Sequence, residues 1–281
     1  MATINWYPGH MTKSIRMIEE NIRLIDVLVY VLDARAPKSC INPDFARYIE
    51  RLPVVFVLNK SDLAHDEQTA KWIKKLSGDK CLAVAVNSTI SKNTASVLSA
   101  IKKLVGEKLN RQKAKGIRAT MKAMVLGVPN TGKSTLINNL IGKSRAITGN
   151  KAGVTRGKQW FRVNDFLEVL DTPGTLYPKL ADQNIAQNLA FLGSIKDEVV
   201  DGVELAFSLL CKLTEIDSNI LRVRYGEIRL ENIDVALSDV ARLRSFLLKG
   251  GDFDIERAAT AVLDDFRKGR FGKVTLDLLG E

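Results

Sequence analysis

An apolar stretch ending at Leu126 runs into Gly127-Val128-Pro129-Asn130-Thr131-Gly132-Lys133-Ser134, the spacing G-x-x-x-x-G-K-[ST]. Glycines at those places let backbone N–H groups turn inward around a row of phosphates. Lys133 can then neutralise the β and γ phosphates, and the helix that follows adds the positive end of its dipole. The Ser134 hydroxyl is placed to ligate the Mg²⁺ that accompanies such a nucleotide. Asn130, Thr131, Gly132 and Thr135 complete the phosphate-facing set. A Gly-rich turn with no ligand is the alternative, disfavoured by the strand before it and the helix after it.

A second polar cluster, Asn59-Lys60-Ser61-Asp62, follows the apolar run Val54–Leu58. Loops at the carboxyl ends of strands are where open α/β sheets bind ligands. Guanine presents an N1–H beside an exocyclic amine, and the Asp62 carboxylate can accept from both. Adenine has no such donor pair and would leave the carboxylate unpaired. Asn59 can tie this loop to base and phosphate loop, and the Lys60 stem can lie over the purine. Alone, the cluster reads first as an ordinary strand-terminating turn; beside a phosphate loop the order reverses and it reads as a guanine site.

Three further segments extend the set. Asn87-Ser88-Thr89 follows the run Leu82–Val86 and can bring a backbone N–H to the guanine O6. Asp171-Thr172-Pro173-Gly174 ends a strand with a carboxylate that can hold a Mg²⁺-bound water, while the Gly174 N–H reaches the γ-phosphate; a plain Pro-Gly turn is the alternative. Thr155 sits in the basic loop between these motifs and can complete the Mg²⁺ shell when GTP is bound, so that loss of the γ-phosphate releases the loop as a switch. Together these are the elements of a small G-protein-type GTPase, but the base-reading pair precedes the phosphate loop: the order is circularly permuted.

The elements that must position these motifs follow from periodicity. Met11, Ile15, Ile18, Ile22 and Ile25 predict an amphipathic helix over 11–25. Strand-length apolar runs at 27–32, 54–58 and 82–86, spaced by helix-length segments, predict a parallel βαβ sheet. A helix over 94–109, a basic connector at about 110–120, a helix over 133–141 and paired strands at 159–163 and 166–170 follow. Beyond residue 195 helical spacing takes over (Val203, Phe207, Leu210, Leu213; Ile233, Leu237, Val240, Leu243, Leu247). The expected fold class is α/β: a P-loop NTPase-type, mostly parallel sheet in domain 1–185, plus a small all-α C-terminal domain, 195–281.

Composition narrows the class. With 281 residues, 46% hydrophobic and 26% charged, the chain is globular rather than disordered. No apolar run approaches the roughly 18 residues a membrane helix needs, and the N-terminus lacks a secretory pattern. Cys40, Cys81 and Cys211 form neither a CxxC pair nor a disulfide framework, so a reducing cytoplasm is expected; the chain is also expected to be a monomer. Residues 1–194 hold 29 Lys/Arg against 15 Asp/Glu, residues 195–281 hold 13 against 17. A basic field of that kind gathers polyanions, nucleic acid foremost, with simple solubility as the other reading.

With Asn5-Trp6-Tyr7-Pro8-Gly9-His10-Met11, Leu32-Asp33-Ala34-Arg35 and Asp265-Phe266-Arg267-Lys268-Gly269-Arg270-Phe271-Gly272 added, the chain resembles the YlqF/RbgA family of ribosome-biogenesis GTPases over essentially its whole length. The resemblance implies late maturation of the large ribosomal subunit, contact with ribosomal RNA through the helical domain, and particle-stimulated GTP hydrolysis. It also implies that no glutamine orients the attacking water: Thr175 and Leu176 follow Gly174, Thr175 departing from the family's hydrophobic residue. The family's catalytic candidate is His10, whose alternative is a loop histidine capping the first helix. Asn130 resembles an asparagine through which related GTPases bind an activating K⁺, a solvent-facing Asn being the alternative. The tail Arg267–Lys273 reads either as an RNA contact through phosphates and stacking or as a solvated helix end. Three other functions compete: a small-subunit assembly GTPase, an RNA-binding scaffold with structural nucleotide, and an ATPase or kinase. Asp62, Lys133, Ser134 and Asp171 oppose the last two.

Overall fold

The computed structural model describes residues 4, 9–116, 119–142, 159–177, 180 and 182–280, without the side chains of His10 and Ser91. The chain divides into two compact units. One comprises Tyr7–Lys179 with Asp277–Glu281, the other Met1–Trp6 with Leu180–Leu276. The first unit runs α1 (Gly9–Asn21), β1 (Val27–Asp33), a short α2 (Ala46–Ile49), β2 (Val54–Asn59), α3 (Asp66–Leu76), β3 (Cys81–Val86), α4 (Ala95–Ala114), β4 (Met121–Leu126), α5 (Lys133–Ile141), β5 (Gln159–Arg162) and β6 (Leu167–Asp171).

The six strands lie in the order β3-β2-β1-β4-β6-β5. All pair in parallel except β5 with β6. The chain leaves β1 outward through β2 and β3, then crosses back on α4 to lay β4 against the other side of β1. That reversal is a topological switch point, where a crevice opens outside the carboxyl ends of the strands. All seven residues of β1 are buried, as a central strand covered on both faces requires. On one face Val27, Val29, Val31, Val55 and Val57 pack with Val97, Ile101 and Val105 of α4 and with Leu136, Ile137 and Leu140 of α5. Each such side chain, fully buried, contributes ~1.5–3 kcal/mol.

The second unit is helical: α6 (Gln183–Phe191), α7 (Gly202–Ile216), α8 (Asn219–Tyr225), α9 (Ile233–Leu243) and α10 (Ile255–Arg267). Asp182, Asp201, Asn232 and Asp254 cap four of these helices, their side chains accepting from N–H groups of the first turn. Leu205, Leu209, Leu210 and Leu213 of α7 are buried, as are Ala258, Ala259, Val262, Leu263 and Phe266 of α10.

Four expectations change. The first helix spans Gly9–Asn21 and tightens to a 3₁₀ turn at Ile22–Leu24. The basic connector shortens, because α4 continues to Ala114: Lys and Arg are good helix formers, and Gly106 costs only about 1 kcal/mol. Helix α9 stops at Leu243, two residues before Ser245 turns to a φ of +54°, which leaves Leu247 outside. The tail at 267–273 turns Arg267 and Phe271 inward while Lys268, Arg270 and Lys273 stay exposed. Arg267 pairs with Asp197 and donates to the Ala190 and Phe191 carbonyls, Arg270 pairs with buried Asp265, and Phe271 is buried edge-on to Tyr225, so its ring is not open for stacking on a base.

Candidate nucleotide site

Five loops meet at the carboxyl ends of β1, β2, β3, β4 and β6. The loop after β4 rises over Gly127, turns through Asn130 at a φ of +63° and Gly132 at +90°, and enters α5 at Lys133. The close approaches explain the glycines. A Cβ on Gly127 would stand 2.4 Å from the Val31 carbonyl oxygen, and one on Gly132 would stand 2.3 Å from Asn59 Nδ2.

Asn59 is the hub. Its Nδ2 donates to the Thr131 carbonyl at 2.7 Å and its Oδ1 accepts from the Ser88 N–H at 3.0 Å. One buried amide therefore joins the base-reading strand end, the phosphate loop and the Asn87–Thr89 loop. Asn139 of α5 donates to the Ser88 carbonyl and closes the same ring. The Thr89 N–H and hydroxyl are held by Asn87 Oδ1. Because the Ser88 N–H is engaged by Asn59, a guanine O6 must share or take over that donor.

Lys60 sits in the left-handed region at φ +57°. Its Nζ donates to the Asn130 carbonyl at 2.7 Å and pairs with Asp33 at 2.9 Å, so its stem spans from the base loop to the phosphate loop. Asp33, at the end of β1, is also gripped by buried Arg35 through Nε and Nη2, both at 2.9 Å. Burial alone would raise the Asp33 carboxyl, but Arg35 and Lys60 hold it well below the usual carboxylate range. Asp33 and Arg35 thus anchor Lys60, a role that no short motif displays. Asp62 follows in a 3₁₀ turn at Ser61–Leu63 and is exposed, with its carboxylate open to a ligand.

On the phosphate side, the buried Lys133 Nζ folds onto the Gly127 and Val128 carbonyls at 3.0 and 2.8 Å. Burial pushes it down to about 8, against the opposing pull of Asp171. Both Asp171 oxygens are buried and have no hydrogen-bond partner among the described residues. Burial raises this carboxyl to about 6 despite Lys133 nearby. An orphaned buried carboxylate at a strand end fits a cation ligand, with Ser134 in the first turn of α5 as the second protein oxygen.

Gly174 lies so close to the phosphate loop that a Cβ would meet Pro129 N at 2.7 Å and Lys133 Nζ at 3.0 Å. The next N–H, of Thr175, donates to the Gly127 carbonyl at 3.2 Å. Thr175 and Leu176 are both buried, so neither offers a water-orienting side chain to solvent. The Leu176 N–H donates to Met11 Sδ at 3.3 Å, which brings the start of α1 beside the residues following Gly174. Thr155 lies outside the described residues, as does the His10 side chain.

A family model described as a 50S ribosome-binding GTPase matches residues 122–240. The match begins at β4, leaving the base-reading half ahead of it, as a permuted order requires. Ribosome biogenesis GTPase A of Bacillus cereus is 38% identical over 276 residues, covering 98% of this chain and 93% of that protein. That of Thermotoga maritima is 34% identical over 281 residues, covering 98% and 94%. Among solved structures, GDP-bound TM YlqF gives a TM-score of 0.68 at 26% identity, covering 94% of this chain and 99% of that one. GNP-bound YlqF from T. maritima gives 0.66 at 27%, covering 95% and 98%. With the two halves of a guanine site joined in permuted order and relatives alike over nearly the full length of both chains, the chain belongs to the ribosome biogenesis GTPase A family.

Proposed function

We propose that this GTPase is a switch on the assembling large ribosomal subunit, binding it with GTP and leaving after hydrolysis to GDP and phosphate. The observation that carries the nucleotide reading is the Asn59 bridge, which makes the guanine loop and the phosphate loop one site. The printed descriptions of the matched family, a 50S ribosome-binding GTPase, and of the relatives, ribosome biogenesis GTPases, support the choice of particle.

Within the site, Asp62 reads the base, Lys60 bridges base and phosphate loops, and Ser88 sets the O6 side. Lys133 turns from the loop carbonyls to the β and γ phosphates. Ser134, Asp171 and, with GTP, Thr155 would hold Mg²⁺, which when bound would offset charge developing on the phosphates. Gly174 N–H senses the γ-phosphate, and His10 is assigned to orient the attacking water, since Thr175 and Leu176 are buried; the Met11 contact with Leu176, which brings the start of α1 beside the residues after Gly174, supports that reading. Asn130, with its left-handed backbone, is the candidate K⁺ ligand. The helical part, residues 195–276, makes the RNA contact; exposed Arg222, Arg229 and Arg242 line one groove there. The protein works as a monomer in the cytoplasm, and among the described residues no helix is long and apolar enough to cross a membrane.

Co-sedimentation with separated ribosomal subunits tests this. Association with the large subunit in a non-hydrolysable GTP analogue, weakened in GDP, is expected. Association with the small subunit alone overturns the choice of particle, and nucleotide-independent binding overturns the switch.

A further inference from the structure

The two flanks of the base-reading loop are held by one short segment remote in sequence. After Leu276, the last residue of the helical unit, the chain returns to the sheet unit. The Asp277 carboxylate accepts from the Ser39 N–H at 2.7 Å and from the Ser39 hydroxyl at 3.0 Å. The Asp277 carbonyl accepts from Trp72 Nε1 at 2.8 Å. Leu279 exchanges two backbone bonds with the Gln68 side-chain amide, at 2.8 and 3.3 Å. The Leu279 side chain packs on the cluster of Ala34, Leu58, Ala64 and Trp72.

Those contacts fall on both sides of Asn59–Asp62. Leu58 immediately precedes it, and Ala64 follows it after the 3₁₀ turn that carries Asp62. Trp72 and Gln68 belong to α3, the helix the loop feeds. Ser39 lies on the loop after β1, whose Ala34 N–H donates to the Asn59 carbonyl at 2.8 Å and whose Asp33 pairs with Lys60. Fixing Ser39, Gln68 and Trp72 to one strap therefore fixes the backbone from which Asn59, Lys60 and Asp62 reach the base.

We propose that residues 277–280 are a positioning strap for the guanine site, with Asp277 and Leu279 its anchors. They touch no nucleotide. They act through Ser39 and α3, on the assignment of Asn59–Asp62 as the base reader. GDP retention is the property the strap controls.

Release of a fluorescent GDP and steady-state kinetics test the strap. Asp277→Ala, and a chain ending at Leu276, are expected to speed GDP release and raise KM about threefold to thirtyfold, since hydrogen bonds to a charged group are lost. Turnover at saturating GTP is expected to stay near wild type, because the phosphate side is not anchored by the strap. Asp277→Asn, which keeps an acceptor for the Ser39 N–H, is expected to recover most of the loss. Wild-type GDP release in both disrupting variants overturns the proposal. Should either unfold, Gln68→Ala removes only the Leu279 bonds, and wild-type release in that variant overturns it equally. Asp62→Asn separates the two levels: unchanged base preference there removes the base-reader assignment, whereas altered preference with wild-type release in the tail variants removes the strap alone.

Discussion

Asn59→Ala removes the amide that joins three loops. It deletes a donor 2.7 Å from the Thr131 carbonyl and an acceptor 3.0 Å from the Ser88 N–H. Thr131 and Ser88 are 1% and 2% exposed, so water does not readily replace either bond. Each orphaned group costs roughly 1–3 kcal/mol, giving a total of about 2–6 kcal/mol. Part of this appears as lost stability of the sheet unit and part as disorder of the loops that ligand binding must then reverse. The expected outcome is a loss of about 2–4 kcal/mol in denaturant unfolding followed by Trp72 and Trp160 fluorescence, with GTP bound at least about tenfold more weakly. Asn59→Asp separates the two bonds, because it keeps the acceptor for Ser88 but sets a carboxylate against the Thr131 carbonyl. It is expected to be no better than alanine. A stability change under about 0.5 kcal/mol with unaltered GTP affinity would refute the hub role.

Two further outcomes follow from the phosphate side. Asp171 has a folded carboxyl raised to about 6 from 3.8, so the nucleotide-free fold binds a proton that the unfolded chain releases. Its stability should fall as pH rises from about 4 to about 6, by up to ~3 kcal/mol, and then level off. Mg²⁺ with GDP should oppose that fall, and a flat profile in thermal unfolding of the nucleotide-free protein would contradict the buried, unpartnered state. Gly174→Ala brings a Cβ within 2.8 Å of Pro129 N and Cα, which forces the two loops apart. GDP binding should survive while single-turnover GTP hydrolysis drops at least about tenfold; wild-type hydrolysis would show that the approach is irrelevant.

The site was legible in the sequence where chemistry demands consecutive residues. Gly127–Ser134 and Asn59–Asp62 each carry their own signature, because a backbone cradle and a base-reading turn are built from neighbours in the chain. Their joining was legible in outline: Asn59 was expected to tie the loops, though not through the Ser88 N–H. The groups that support them are scattered. Arg35 and Asp33 lie two residues apart, yet their purpose depends on Lys60 from the next strand. Asp277 reaches Ser39 across 238 positions, and no periodicity records such a return. At Arg267–Lys273 one pairing is hidden for the same reason: Arg267 looks free until Asp197, 70 residues away, is seen against it. Helix α4 outlasted its expected end because a basic surface helix and a basic connector share a composition.

Base selectivity tests the guanine site most directly. Asp62 is exposed at the end of a turn fixed on either side, and its carboxylate is the group assigned to the N1–H and amine of guanine. Competition binding of GTP against XTP to Asp62→Asn should show preference moving toward XTP, whose ring offers an acceptor where guanine offers a donor. Loss of two charge-assisted bonds makes a shift of at least about a hundredfold the expected result. An Asp62→Asn protein that folds normally and still prefers GTP as strongly as the wild type would contradict the assignment of the base-reading loop.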